Sequence, residues 1–243
     1  MGFGCNVPAV ISTRACSSCS RKTCISAISF GSACSYQFGA TLGVFSAANL
    51  PGLVVPYLLY LTLTTLIYTY LITPKAARST ENSLVIDRRI FLEIPQCSTI
   101  WREAKGSVSQ FFTNAIPIFL AISAIAAIFD WLGILNALSS LISPTMGLFN
   151  LPPDAALPII LASIRKDGLL LFAEPKTIGL LSPFHILTGV YLAGVLLPCL
   201  VTALTISREQ SLKFALKLMV RQSISAIFFS LILAWGGWLF LGV

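Results

Sequence analysis

Charge is scarce in this chain. Asp, Glu, Lys and Arg make up 10% of its 243 residues, against about 25% in an ordinary soluble domain. With 56% apolar residues and a mean hydropathy of +0.86, that shortage excludes a fully solvated globular surface. The composition reads as an all-α, polytopic membrane protein, with membrane lipid as its first partner. Histidine is nearly missing: His185 is the only one, too few for a His-based zinc centre. No G-x-x-x-x-G-K-[ST] run occurs, so no P-loop holds a nucleotide. There is no Ser-His-Asp set, no pair of catalytic carboxylates and no cofactor loop. The expectation is a non-enzyme with no resident cofactor. No Arg-aromatic patch points to nucleic acid. The excess of 16 Lys and Arg over 9 Asp and Glu bears on topology instead, because basic residues collect in cytoplasmic loops. A basic start followed by an apolar run is also missing, so no signal peptide is expected.

Long uncharged runs are what the chain does have. Residues 53–72 lack any charge, and twenty helical residues cross a hydrocarbon layer of about 30 Å. Tyr57, Tyr60, Tyr68 and Tyr70 are placed as interfacial aromatics of this span. Residues 23–50 are uncharged and rich in small side chains, which suits a helix packed inside a bundle. Residues 115–135, 186–206 and 223–243 supply further spans, for about five in all. Two polar stretches, 74–105 and 207–221, are basic and are assigned to the cytoplasm; part of the first suits an amphipathic surface segment. The chain thus divides into 1–72 (a gate motif and two spans), 73–107 (a linker) and 108–243 (a second gate region with three spans). Residues 136–185 must begin and end on the outer side. They are apolar but interrupted, which predicts a re-entrant hairpin descending over 155–164 and returning over 169–172. Arg165, Lys166 and Asp167 form its charged tip, and charge at membrane depth faces a cavity or pairs internally. An ordinary cytoplasmic loop between two short helices is the competing reading.

Seven cysteines are present, five of them in the first 34 residues. An odd number in a membrane chain does not read as a secreted disulfide framework. Cys5 lies in Gly2-Phe3-Gly4-Cys5-Asn6-Val7-Pro8, and Cys199 follows Pro198. Gly and Pro break helices and leave carbonyls without partners, and broken backbone at membrane depth lines cavities or is buried in protein. Thiolate beside freed carbonyls suits a late divalent metal better than Mg²⁺ or Ca²⁺. A capping turn with an inert thiol, or a small residue packed between helices, is the bland alternative. Cys16, Cys19 and Cys24 have the spacing of a zinc half-site, but nothing completes it. Free or redox-sensitive thiols account for them more simply.

These motifs also resemble those of the ferrous iron transport protein B family. Gly-x-Gly-Cys-x-Val-Pro-Ala followed by Thr13-Arg14 is similar to its first gate, and Glu93-Ile94-Pro95 to an element before its second gate. Leu151-Pro152-Pro153-Asp154 with Arg165-Lys166-Asp167-Gly168 is similar to the second gate. Leu197-Pro198-Cys199-Leu200 and Arg208-Glu209 resemble its later Pro-Cys helix and Arg-Glu turn. The resemblance spans nearly the whole chain. It implies the membrane gate part of an Fe²⁺ uptake transporter in the inner membrane. Fe²⁺ is then the substrate, passing Cys5 and Cys199, with Gly4, Pro8, Arg165, Lys166, Asp167 and Pro198 as gate residues. It further implies a GTPase domain or N-terminal transporter half in trans, making this chain a fragment, a split subunit or a reduced paralogue; a homo-oligomer fits as well. Cys34 departs from the pattern. The family shows Ser-Cys-x-Ala-Arg where this chain has Ser32-Ala33-Cys34-Ser35-Tyr36, so Cys34 is the weaker path candidate.

Two other functions stay open. One is a non-transporting membrane subunit whose Cys16, Cys19 and Cys24 sense redox state or assemble a partner. The weaker one is a nucleoside-type gate transporter, which predicts mid-span clusters of Asn, Gln or Glu.

Overall fold

The computed structural model describes residues 5–17, 20–31, 34–74, 96–110, 112–113, 116–174, 177, 179 and 181–241. Among them the secondary structure is helical throughout, with no strand. Gly4, Cys19, Glu93, Ile94 and Pro95 lie outside the described residues, as does the linker over 75–95.

Helix α1 (Asn6–Ser12) is a short first element, and Pro8 sits in its opening turn, where a missing N–H costs no helical bond. Helices α2 (Arg21–Gly31) and α3 (Ser35–Ala47) follow, then α4 (Val54–Ile72), α5 (Cys97–Gln110), α6 (Ile116–Trp131) and α7 (Ile134–Met146). Helix α8 (Ala156–Ile164) runs into a 3₁₀ segment (Lys166–Ala173), and α9 (Pro183–Val195), α10 (Leu200–Glu209) and α11 (Leu212–Leu241) complete the chain.

Three stretches are long and apolar enough to cross a membrane: Pro51–Ile72, Pro183–Glu209 and Leu212–Gly237. That is fewer than the five expected. The apolar run over 23–50 is divided between α2 and α3 at Cys34. The run over 115–135 ends in a bend: the Ser123–Phe129 and Ile134–Phe149 stretches differ in direction by 77°. Gly133, at φ 71°, takes the left-handed conformation at that turn. Counting the bent pair as one gives four. The basic stretch 207–221 is also not a loop. Only Gln210 and Ser211 separate α10 from α11, and Lys213, Lys217 and Arg221 follow one face of α11 at intervals of four.

The expected hairpin is present as a chain reversal. Helix α8 packs against the Lys166–Ala173 segment, and both pack against α9. Gly168 permits this approach. A Cβ there would lie 2.6 Å from the backbone nitrogen of Ala162 and 2.6 Å from the carbonyl carbon of Leu161.

Side chains from both expected membrane segments share one core. Phe30 stacks on Tyr68 with ring centroids 4.1 Å apart, and Phe45 meets Tyr57 edge-on. Tyr57 and Tyr68 are fully buried, so they are core residues and not interfacial anchors; Tyr70 alone of the four is strongly exposed. Tyr191 donates to Thr64 Oγ1 at 2.9 Å, and Tyr60 to the Phe229 carbonyl at 2.6 Å. Outward, α4 presents Val55, Leu59, Leu63 and Leu66, while α11 presents Leu216, Val220, Ile224, Phe228 and Ile232. Exposed apolar stripes of this length exceed what soluble monomers carry. The broken stretch α9–α10 lies inside, and the two long helices lie at the rim.

Candidate functional site

Among the described residues, three helices have a cysteine as the N-cap residue. Cys5 is the N-cap of α1, Cys34 of α3 and Cys199 of α10, with ψ of 136°, 156° and 152°. An N-cap leaves helical geometry, and the N–H groups after it have no partner inside the helix. A thiol held there can accept from them: Cys34 Sγ takes the Gln37 N–H at 3.4 Å. Cys199 Sγ lies 3.1 Å from Thr202 Oγ1.

All three cysteines line one cavity of about 320 Å³, together with Asn6, Lys166 and Thr202. Ile116, Leu120 and Ile164 supply apolar wall. Cys5, Cys34 and Cys199 stand near enough to act on one another electrostatically. Among the described residues, though, no three Cys, His, Asp or Glu side chains converge on a single metal position. The cavity thus has three cysteines in its lining but, among the described residues, no closed metal cage.

The hairpin tip forms one wall. Arg165 pairs with Asp167, its Nε donating to Oδ1 at 3.1 Å and its Nη2 to Oδ2, while Nη1 donates to Ser123 Oγ of α6 at 2.9 Å. Arg165 and Asp167 also line a second cavity of about 620 Å³, together with Glu174. The ion pair is therefore shared by the two cavities, and the cysteines line only the first.

Lys166 points the other way. Its Nζ donates to the carbonyls of Ala193 at 3.1 Å, Gly194 at 2.7 Å and Leu197 at 2.7 Å. Pro198 accounts for one of these: with no N–H it cannot bond the carbonyl four residues back, that of Gly194. The remaining end carbonyls of α9 are also taken. Gln222 Nε2 donates to Val195 at 2.8 Å, and Ser223 Oγ to Leu196 at 3.2 Å.

At one end of the bundle a single carboxylate joins the two halves. Glu209 accepts from Arg14 Nε at 2.8 Å and from Arg21 Nη2 at 2.9 Å. The bond to Glu209, and then its charge, push the Arg14 guanidinium further up from its already high range, and the bond from Arg14 holds the Glu209 carboxyl below its usual range. The Thr13-Arg14 and Arg208-Glu209 motifs, 195 residues apart at Arg14 and Glu209, thus meet.

Cys16 and Cys24 are not in the lining of this cavity, and their sulfurs are 3.7 Å from each other. His185 caps α9: Ser182 N–H donates to its Nδ1 at 3.2 Å and its own N–H to Ser182 Oγ at 3.4 Å.

Sequence reasoning held Cys34 to be the weaker candidate, and the structure places it in the lining of the same cavity as Cys5 and Cys199; the role of Gln222 was missed. The signal was an order that occurs twice: short helix, break with Cys, short helix, long helix. It is found over α2, α3 and α4 and again over α9, α10 and α11. No protein-family profile, no characterised protein and no solved structure matches this chain.

Proposed function

We propose that this chain is the gate region of a transporter for Fe²⁺, with the thiols of Cys5, Cys34 and Cys199 forming successive weak stops along the path. The observation that carries this reading is the convergence of three N-cap cysteines on one cavity. Sulfur suits Fe²⁺ and discriminates against the abundant hard cations Mg²⁺ and Ca²⁺. Stops that do not close into a cage permit release, as transport requires.

On this reading the chain crosses the inner membrane five times. Helices α2 and α3 form one broken crossing and α9 and α10 another, running in the opposite sense. Helices α4, α11 and the α6 stretch supply the rest, and α8 with the Lys166–Ala173 segment re-enters from outside. Such paired discontinuous helices are where transporters place their sites. The motifs resembling the ferrous iron transport protein B family support the cargo assignment, and Arg14 meeting Glu209 gives both of its motifs a shared purpose. A GTPase or the remaining transporter half, acting in trans, supplies the drive; the chain itself is no enzyme.

The test is Fe²⁺ uptake in iron-starved cells carrying this chain with its partner. Cys5→Ser, Cys34→Ser and Cys199→Ser combined are expected to bring uptake to background. Undiminished uptake by that variant rules out a thiol path.

A second reading is favoured by the 3.7 Å approach of Cys16 and Cys24: a membrane subunit that senses redox state or assembles a partner through those thiols. Labelling separates the two. Fe²⁺ protects Cys5, Cys34 and Cys199 if they form the path, whereas reactivity confined to Cys16 and Cys24 favours the sensor. The nucleoside reading is weaker: the buried amides Gln37 and Gln222 are engaged within the protein, with Tyr57 and with Ser29 and Val195, and Asn6 is the one amide in the described lining of the cysteine cavity, with no Gln or Glu beside it.

A further inference from the structure

The only charged side chain buried among the described residues is Lys166, 7% exposed. A buried ammonium is costly unless every donor is met. Here three donors meet three backbone carbonyls, at 2.7 to 3.1 Å, where α9 breaks at Pro198. No carboxylate pairs with it; among the described residues the ion pairs are those of Arg14, Arg21 and Arg165. The ammonium is balanced instead by carbonyl oxygens at the negative end of α9. Such a set of neutral oxygens at a broken helix end is what holds small cations in transporters.

We propose that the α9 break is a site for a monovalent cation of about ammonium size, such as K⁺, and that Lys166 is its tethered occupant in this conformation. One unit of positive charge satisfies the carbonyls, so a mobile monovalent ion can replace the tethered one without changing the local charge. The tether is set by the fold. Lys166 follows the α8 reversal, and Gly168 presses the segment after it onto α8. Withdrawal of the hairpin tip would therefore take the ammonium out of the carbonyls and leave them to a mobile ion. The hairpin and the broken helix are latched by a cation and unlatched by cation exchange. This inference holds whatever the cargo, because neither the carbonyls nor Lys166 need Fe²⁺ as the transported ion.

The experiment is thermal unfolding of the full chain in detergent, for the wild type, Lys166→Ala and Lys166→Met. Each is measured in KCl, NH₄Cl or choline chloride at equal ionic strength. Choline is too large for the carbonyl cluster. The wild type is expected to unfold at the same temperature in all three. Both variants should lose about 5 °C or more in choline chloride, as carbonyls are left unmet, and recover at least half of that loss, saturably, in KCl and NH₄Cl. A lysine that merely caps a helix end predicts the loss without the recovery. Variants equally weak in all three salts overturn the proposal. So does failure of both variants to fold even when purified in KCl, since the carbonyls would then not accept a free ion.

Discussion

Gly168→Ala tests the hairpin most directly, because the obstacle there is backbone. The new Cβ would lie 2.6 Å from Ala162 N and from Leu161 C, and 2.8 Å from Leu161 Cβ. Ordinary contact needs about 3.5 Å or more, so the Lys166–Ala173 segment must move by nearly an ångström. No rotamer change relieves contact with backbone. Overpacking of this kind costs about 1–3 kcal/mol, which for a chain of this size lowers the unfolding temperature by about 2–12 °C. Gly39→Ala is the matched control. It lies within α3, and its added Cβ would meet nothing within 4 Å. There the same substitution removes only backbone freedom and should stabilise by about 0.5–1 kcal/mol. Both are measured by thermal unfolding in one detergent, together with the maleimide reactivity of Cys199. Displacement of the hairpin should also loosen the Lys166 latch and raise that reactivity. Equal unfolding temperatures for Gly168→Ala and wild type, or equal losses for the two variants, would refute the close-approach argument.

Three further outcomes follow from the same structure. Gln222→Leu leaves the Val195 carbonyl and the Ser29 hydroxyl without their partner in a fully buried position. It should destabilise by about 1–3 kcal/mol, read as a lower unfolding temperature, whereas Gln222→Glu should be worse because it turns a donor into an acceptor facing Val195. Glu209→Gln removes the charge shared by Arg14 and Arg21; the variant should unfold earlier than wild type at low salt, with the gap narrowing as salt rises. Mild oxidation should bridge Cys16 to Cys24, whose sulfurs are 3.7 Å apart, and a mass-tagging gel shift should show two thiols lost in wild type and none in Cys24→Ser.

Much of this arrangement is legible without coordinates. A chain with 10% charge and uncharged runs such as 53–72 fits helices long and apolar enough to cross a membrane, because lipid offers no partner to an open backbone. The chain reversal between 155–164 and 169–172 was legible too, because Arg165-Lys166-Asp167-Gly168 interrupts an apolar stretch. The helix start at Cys199 follows from Pro198 beside it. Span counting was less secure. Hydropathy sees apolar residues but not the cap that splits α2 from α3 at Cys34, nor the left-handed turn at Gly133. The Tyr residues of α4 misled for a similar reason, since composition cannot say whether a ring faces lipid headgroups or Phe30 and Phe45.

Local chemistry along the chain therefore determined the helical class, the membrane character and the places where helices stop. Only the tertiary structure decided that three separate helix starts open on the same cavity. It also decided that Lys166, next in sequence to Arg165 and Asp167, turns away from both to satisfy carbonyls 27 to 31 residues further on. Backbone propensities act over one or two turns, whereas an orphaned carbonyl selects its partner from whatever the folded chain brings within about 3 Å.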